Sequence, residues 1–203
     1  MDTTKLAITI GVSIFLWVFR NVIASAFHYT TLVIDGLSVE NPYPRDHERS
    51  FPKKVRFLRL SVRSRIGRLR EVQAELKIKN SENEYLDNTG ILHWQRQPRA
   101  GKPHPLKMHE DLTTAEDVKD HMYDYHFSEN KPVDIPSGEC DKVDLFMKIE
   151  DLPYAISTVS RESHIDPGNY EIEVKVTASN VLKPKKKLFK VKFGEVFDDI
   201  QIL

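Results

Sequence analysis

A strictly alternating stretch near the C-terminal end of the chain constrains the fold more than any other feature. Between Tyr170 and Ala178 every second residue is apolar: Tyr170, Ile172, Val174, Val176 and Ala178. Because successive side chains of a strand point to opposite faces, this pattern predicts a strand with one buried and one solvated face. The preceding residues Asp166 to Asn169 predict a turn in which Gly168 adopts a positive φ.

The same alternation recurs along the chain. The apolar sets are Leu58, Leu60 and Val62; Val72, Ala74, Leu76 and Ile78; Val143, Leu145, Met147 and Ile149; and Phe189, Val191 and Phe193. The intervening residues Arg59 and Arg63 predict a basic solvent-facing side for their strand. Asp144 is likewise predicted to lie on the solvent-facing side of its own strand. The apolar faces need partners, so we predict a mainly β chain that forms an immunoglobulin-like antiparallel β-sandwich of about seven strands, with Trp94 in its core.

One helix is predicted as an insertion between the strands, at about 106–128. Thr113 or Thr114 caps it, and Glu116 and Asp117 occupy its first turn. Its apolar face comprises Ala115, Val118, Met122 and Tyr125. The predicted organisation is an N-terminal apolar helix at 1–30, a connector at 31–50 and the sandwich at 51–203.

The N-terminal segment predicts membrane attachment. Leu6 to Phe19 is an unbroken run of apolar and small residues, and Val22 to Phe27 follows after Arg20-Asn21. A helix over both pieces is about 33 Å long, against a hydrocarbon core of about 30 Å, which favours an uncleaved single-pass transmembrane anchor. A cleaved signal sequence ending at Ala24-Ser25-Ala26 and a buried helix of a soluble protein are the alternatives. The arginines after the run favour a cytoplasmic body.

The overall charge argues against a global electrostatic partner. The chain has 30 basic and 30 acidic residues, so no net field attracts nucleic acid or anionic membrane, and any such attraction must be local. The single cysteine, Cys140, excludes an intrachain disulfide and a disulfide-rich secreted scaffold. No phosphate-binding loop, nucleophile elbow or His-Glu-x-x-His helix is present, so we expect no enzyme and no cofactor.

Two groups of residues are candidate sites. The insertion carries four histidines beside several carboxylates, which is a ligand set for a transition metal: His104, His109, His121 and His126. Their spacing fits solvated histidines better, since His121 and His126 do not share a helix face. The second group could contact an anionic surface such as lipid headgroups: Arg63, Arg65, Lys185, Lys186 and Lys187. Charged outer faces of edge strands explain these residues better than lipid contact does, and nucleic acid is disfavoured because exposed aromatics are missing.

The turn signals resemble those of the CARDB-type immunoglobulin-like modules of prokaryotic surface and membrane-anchored proteins. The matching residues are Gly67 before the strand at 72–78, Pro136-Ser137-Gly138-Glu139, and Pro167-Gly168-Asn169-Tyr170. Arg65-Ile66-Gly67 departs from the usual Asn-Thr-Gly bend, and the helical insertion has no counterpart. The resemblance implies a binding or spacing module without catalytic residues.

These observations favour a membrane-anchored, non-enzymatic binding or scaffold module that serves as an accessory subunit and contacts another protein. A small-ligand or metal-binding domain built on the histidine-rich insertion is the first alternative. A binding domain exported after signal cleavage is the second.

Overall fold

The computed structural model describes residues 3–41, 53–82, 84–95, 113–125, 127, 130–160 and 163–203. Within them lie two helices, α1 (Thr3–Thr31) and α2 (Ala115–Tyr125). The strands are β1 (Leu32–Glu40), β2 (Val55–Ser64), β3 (Leu69–Lys79), β4 (Tyr85–Ile91), β5 (His93–Trp94), β6 (Val133–Ile135), β7 (Cys140–Ile149), β8 (Ala155–Ser157), β9 (His164–Ile165), β10 (Gly168–Thr177), β11 (Lys185–Phe193) and β12 (Ile200–Ile202).

The strands form two antiparallel sheets, which confirms the prediction of a mainly β chain. Sheet 1 has the order β1-β2-β7-β8-β9, with β5 also paired to β7. Sheet 2 has the order β12-β11-β10-β3-β4, with β6 also paired to β3. The chain passes from sheet 1 to sheet 2 between β2 and β3. The inner faces of the two sheets pack together in one hydrophobic core.

The alternating stretch at 170–178 forms the centre of sheet 2, as predicted. Ile172, Val174 and Val176 of β10 are buried, and they lie opposite Ile78, Leu76 and Ala74 of β3 in the register of the two strands. These side chains pack against apolar residues of sheet 1, and the rings of Phe146 and Phe193 meet edge-on with centroids 5.3 Å apart. Trp94 is fully buried in the same core, as predicted.

The residues 32–40, at the start of the predicted connector, form an edge strand of the sandwich. β1 pairs with β2 from Leu32↔Ser64 to Glu40↔Phe57, with an irregularity between Ile34 and Leu37. This irregularity interrupts the alternation of apolar residues, and for this reason the sequence pattern is weak there.

Helix α2 is the predicted insertion, and it covers the outer face of sheet 1. Its buried residues Ala115, Val118 and Met122 pack on the outward side chains of β2, β7 and β8, which are Val55, Phe57, Met147, Ile149 and Ile156. Thr114 caps the helix: its hydroxyl accepts from the Asp117 amide at 3.1 Å, and Asp117 accepts from the Thr114 amide at 2.8 Å. The side chain of Tyr125 lies outside the described part of the chain.

The side chains of strand β7 do not all point in the directions that the sequence pattern predicted. Leu58 of β2 pairs with Phe146, but Arg59 pairs with Asp144, so Leu145 is an extra residue in β7. Such a bulge exchanges the two faces of the strand beyond it. Val143, Leu145 and Phe146 therefore enter the core between the sheets, whereas Met147 and Ile149 lie under α2. The prediction that Val143, Leu145, Met147 and Ile149 share one face was wrong.

Because of the same bulge, the side chain of Lys148 points into the protein interior. Its side chain is fully buried, and its Nζ donates a hydrogen bond to the carbonyl oxygen of Gly194 in the segment that follows β11. Burial lowers the pKa of Lys148, and the nearby Asp199 carboxylate opposes this shift. Lys148 thus links β7 of sheet 1 to the C-terminal end of sheet 2.

The backbone at the turns differs from the prediction at Gly168. Gly168 is the first residue of β10 and does not have a positive φ; Gly67 and Gly138 do, at 77° each. Both of these glycines lie in turns next to the end of β2, where Gly67 accepts a hydrogen bond from the Ser64 hydroxyl and Gly138 donates to the Ser64 carbonyl at 2.8 Å. The positive φ therefore occurs in the turns that flank Ser64.

Helix α1 exposes apolar side chains on every face. Those with more than two fifths of their surface exposed are Ile10, Val12, Ile14, Phe15, Leu16, Trp17, Val18, Phe19, Val22 and Ile23. Among the described residues, no helix combines the length and the hydropathy that are needed to cross a membrane.

Candidate functional site

The predicted histidine site is placed only in part. His121 lies on α2 and is buried, whereas His104, His109 and His126 lie outside the described residues. No cluster of metal-ligating side chains occurs in the described ranges of the chain. Burial of His121 on the sheet-facing helix is the arrangement of a core residue rather than that of an exposed ligand.

The five predicted basic residues separate into two groups. Lys186 lies on the outer face of sheet 2, where its Nζ pairs with Glu173 at 3.0 Å. Lys175 pairs with Glu75 at 2.9 Å on the same face, and Lys190 with Glu171 at 3.6 Å. This face is therefore a ladder of exposed ion pairs, which contributes little stability but keeps the sheet solvated.

The other four basic residues surround the start of β1. The Lys185 Nζ donates to the Leu32 carbonyl at 2.6 Å, and that of Lys187 donates to the Ile34 carbonyl at 3.1 Å, so both lysines join β11 to the edge of sheet 1. Arg63 pairs with Asp35 at 3.1 Å. The Arg65 amide donates to the carbonyl of Thr31, the last residue of α1, at 2.9 Å.

The neighbouring turns complete this end of the sandwich, which we call the α1-side end. It comprises the turns at 65–68, 136–139 and 178–184. The Gly67 amide donates to the Ser137 hydroxyl at 2.9 Å, and the Asn180 amide group donates to the Arg68 carbonyl at 2.9 Å. Burial lowers the pKa of Lys185, and the nearby charge of Arg65 acts in the same direction.

A polar cleft of about 380 Å³ opens at the α1-side end. Its walls are formed by Arg68, Arg70, Glu71, Asp134 and Ser179. Asp134 accepts from the Glu71 amide at 2.8 Å and from the Arg68 guanidinium at 2.5 Å, and these two contacts hold the pKa of Asp134 below its usual value. Glu71 has a positive φ of 47°, which turns its amide toward Asp134. In this cleft Arg68 forms a salt bridge with Asp134, whereas Arg70 forms none with a described carboxylate and acts on Asp134 only through its charge.

A second polar cluster, which the sequence pattern missed, lies on the outer face of sheet 1. Arg59 is buried there, and its Nε donates to the Asp144 carboxylate at 2.6 Å. Its Nη1 donates to the Glu40 carboxylate at 3.3 Å and to the Asn41 carbonyl at 3.2 Å, and its guanidinium stacks over the Phe57 ring at 4.8 Å. The predictions that Arg59 and Asp144 face solvent were wrong, because both side chains are buried and the Phe57 ring lies over the Arg59 guanidinium.

The two carboxylates of this cluster respond differently to their surroundings. Burial raises the pKa of Asp144 because desolvation exceeds the favourable effect of Arg59. Burial also acts to raise the pKa of Glu40, but hydrogen bonds from Lys142, Ser38 and Arg59 outweigh it and lower the value overall. A buried arginine between two carboxylates is a rigid structural arrangement, and it places no nucleophile beside a base.

His93 borders the cluster. It lies opposite Asp144 in the register of β5 and β7, and its ring meets that of Phe127 edge-on at 5.5 Å. Its Nδ1 is buried and has no partner within the described residues. Burial lowers the pKa of His93 to about 4, although the nearby Asn130 side chain opposes this shift. The imidazole is thus neutral at physiological pH.

Comparison with known proteins does not assign a family. No protein-family model matches the chain, and no curated protein matches it. Among solved structures, the chain is similar to a family 123 glycoside hydrolase from Clostridium perfringens, at 13% identity and a TM-score of 0.38. The match covers 82% of this chain and 28% of the hydrolase. At this level of similarity it carries no argument about function.

Proposed function

We propose that the chain is a membrane-anchored, non-enzymatic binding module, in which α1 attaches an immunoglobulin-like sandwich to a lipid bilayer. The exposed apolar surface of α1 carries this proposal. Its exposed residues include three pairs of adjacent residues: Phe15 and Leu16, Trp17 and Val18, and Val22 and Ile23. Together these side chains point in very different directions around the helix. A helix that is apolar all round needs an apolar environment on all sides.

The surroundings of α1 support a lipid environment. Helix α1 extends over 29 residues, or about 43 Å, which is comparable with the 40–45 Å thickness of a bilayer that includes its headgroups. An exposed apolar surface of this kind would cause aggregation in water. The described sandwich offers no apolar groove for α1, because its outer faces carry the ion-pair ladder and α2.

Membrane fractionation of the full chain tests the anchor. We expect the intact chain to float with membranes and to resist alkaline carbonate extraction. The double substitution L16K/V18K is expected to release it, whereas Y85K/L188K, at two exposed residues of sheet 2, adds the same charge and is expected to leave it bound. Carbonate release of the unmodified, full-length chain would contradict the proposal. A soluble product that begins near Phe27 would favour an exported domain instead.

The partner of the sandwich is proposed to be a protein that adds a strand at β12. Among the described strands β12 pairs with β11 alone, and the apolar residues Val196, Ile202 and Leu203, in or near β12, are exposed. An extended segment could hydrogen-bond to such an edge while its side chains cover the apolar residues. Cross-linking from Gln201 in native membranes is expected to yield one product of defined mass that is lost in I202K and retained in Y85K. A product that is equally strong in I202K would exclude this edge.

A further inference from the structure

The two ends of the sandwich carry opposite charge, although the chain as a whole is neutral. In the turns of the α1-side end the charged residues are Arg65, Arg68, Lys183 and Glu139. The described turns at the far end, at 53–54, 80–84, 150–154, 166–167 and 194–199, hold two basic residues, Lys53 and Lys54. Against them stand eight acidic ones, Glu82, Glu84, Glu150, Asp151, Asp166, Glu195, Asp198 and Asp199. The sandwich is therefore an electric dipole whose positive end adjoins α1.

Several positive charges at the α1-side end are not neutralised. Arg63 and Arg68 pair with Asp35 and Asp134. Among the described residues, no carboxylate forms a salt bridge with Arg65, Arg70 or Lys183, although the charge of Arg70 acts on Asp134 across the cleft, and all three side chains are exposed. Exposed cations outside salt bridges are available for an anion outside the chain.

Two exposed apolar side chains lie among these charges. Ile66, in the turn between β2 and β3, is 57% exposed, and Leu182, in the turn between β10 and β11, is 60% exposed. Ile66 follows Arg65 directly, and Lys183 follows Leu182. A surface that combines basic and exposed apolar residues suits the boundary between headgroups and acyl chains, where both kinds of side chain find partners.

We propose that the α1-side end rests on an anionic lipid surface, with Arg65, Arg70 and Lys183 on the headgroups and Ile66 and Leu182 at the acyl boundary. This inference rests on the proposed membrane anchor. The apolar stretch of α1 ends in the sequence at Phe27, four residues or about 6 Å before Thr31, and a headgroup layer is about 5–7 Å thick. Because the Arg65 amide is bonded to Thr31, this end lies within reach of the surface potential. The acidic far end is then directed away from the membrane.

A fluorescent label at the α1-side end tests the contact in the full chain. In a Cys140→Ser background, a polarity-sensitive dye is attached to a cysteine at position 182 or, as the far-end control, at position 169. The protein is reconstituted into vesicles of phosphatidylcholine alone or with about a third of phosphatidylserine. We expect the dye at position 182 to shift to the blue and to resist iodide quenching only with phosphatidylserine, and the dye at position 169 to respond equally to both lipids.

Charge substitutions separate the lipid contact from the anchor. In R65Q/R70Q/K183Q, we expect the docking equilibrium to weaken about fivefold for each charge removed. The control K53Q/K54Q/K192Q removes the same charge from elsewhere and is expected to dock normally. Flotation with vesicles of phosphatidylcholine alone reports the anchor independently. A chain that floats but leaves the label at position 182 open to iodide on both lipids would overturn this inference alone, whereas a chain that does not float would overturn both proposals.

Discussion

The Nε of Arg59 lies 2.6 Å from the Oδ1 of Asp144, and both side chains are buried on the outer face of sheet 1. The pair joins β2 to β7 at the position where the extra residue Leu145 interrupts their register. Thr158 supports the same place, because its hydroxyl donates to the Asp144 carbonyl at 2.6 Å. A charged pair thus holds the sheet together where its regular backbone pairing is disturbed.

Replacement of Arg59 should show how much the stability of the sheet depends on this pair. We expect Arg59→Met to lower the free energy of unfolding by about 3–5 kcal/mol, because Asp144 would remain buried without its cation. The double variant R59M/D144L should recover most of this loss, since it leaves no buried charge at the site. Arg63→Met is the matched control and should cost less than about 1 kcal/mol, because the Arg63–Asp35 pair is partly exposed. Urea unfolding measures all three, and similar losses in R59M and R63M would contradict the prediction.

His93 should make stability depend on pH. Its pKa falls from 6.5 to about 4 in the folded protein, mainly through burial. Between these values the unfolded chain binds a proton that the folded chain does not, so stability falls as the pH is lowered from 6.5 toward 4. The expected contribution is about 3 kcal/mol. Urea unfolding between pH 7 and 4 should show a weaker dependence in His93→Gln than in the parent, and the exposed-site variant His164→Gln should match the parent. An unchanged slope in H93Q would show that another group is responsible.

The cap of α2 can be tested with two adjacent threonines. The Thr114 hydroxyl donates to Asp117 at 2.7 Å and accepts from the Asp117 amide, whereas the Thr113 hydroxyl lies 3.4 Å from the same carboxylate. We expect Thr114→Ala to cost about 1 kcal/mol in thermal or urea unfolding, and Thr113→Ala to cost clearly less. Equal effects would mean that Thr114 does not act as the cap.

Gly194 should be intolerant of a side chain. A Cβ atom added there would lie 2.6 Å from the Cβ of Asp199, whereas a Cβ added at Gly36 would meet nothing within 4 Å. We expect Gly194→Ala to destabilise the protein by about 1–3 kcal/mol, because it forces apart the segment that accepts the Lys148 hydrogen bond. Gly36→Ala should leave the stability unchanged or raise it by up to about 1 kcal/mol. A neutral G194A variant, judged by its urea midpoint, would show that the segment can rearrange freely.

The sequence pattern predicted the parts of the fold that depend on local alternation. The strand at 170–178 and the buried position of Trp94 follow from periodicity and residue type, and the cap of α2 follows from its threonine and acidic residues. The burial of Arg59 could not be predicted in this way, because its buried partner Asp144 lies 85 positions further along the chain. The burial of Lys148 could not be predicted either, because no local sequence signal marks the bulge at Leu145.

The α1-side end was predicted only as a collection of basic residues. The sequence grouped Lys186 with Lys185 and Lys187, because the three are adjacent, but alternation sends Lys186 to the opposite face of the sheet. Arg70 and Lys183 reach the same end through the pairing of β3 and β10. Which charges lie together is decided by strand register, and a single sequence does not specify register across long separations.

The bulge in β7 limits the sequence changes that this strand can accept during evolution. β7 supplies Val143, Leu145 and Phe146 to the inter-sheet core and Met147 and Ile149 to the layer beneath α2, so one strand serves two hydrophobic layers. Conservative exchanges among its apolar residues preserve both layers. The loss or gain of a single residue would instead place Lys148 beneath the helix and send Met147 and Ile149 into the other layer. The length of β7 is therefore constrained more strictly than its composition, and we expect natural variation in this strand to occur by substitution and not by insertion or deletion.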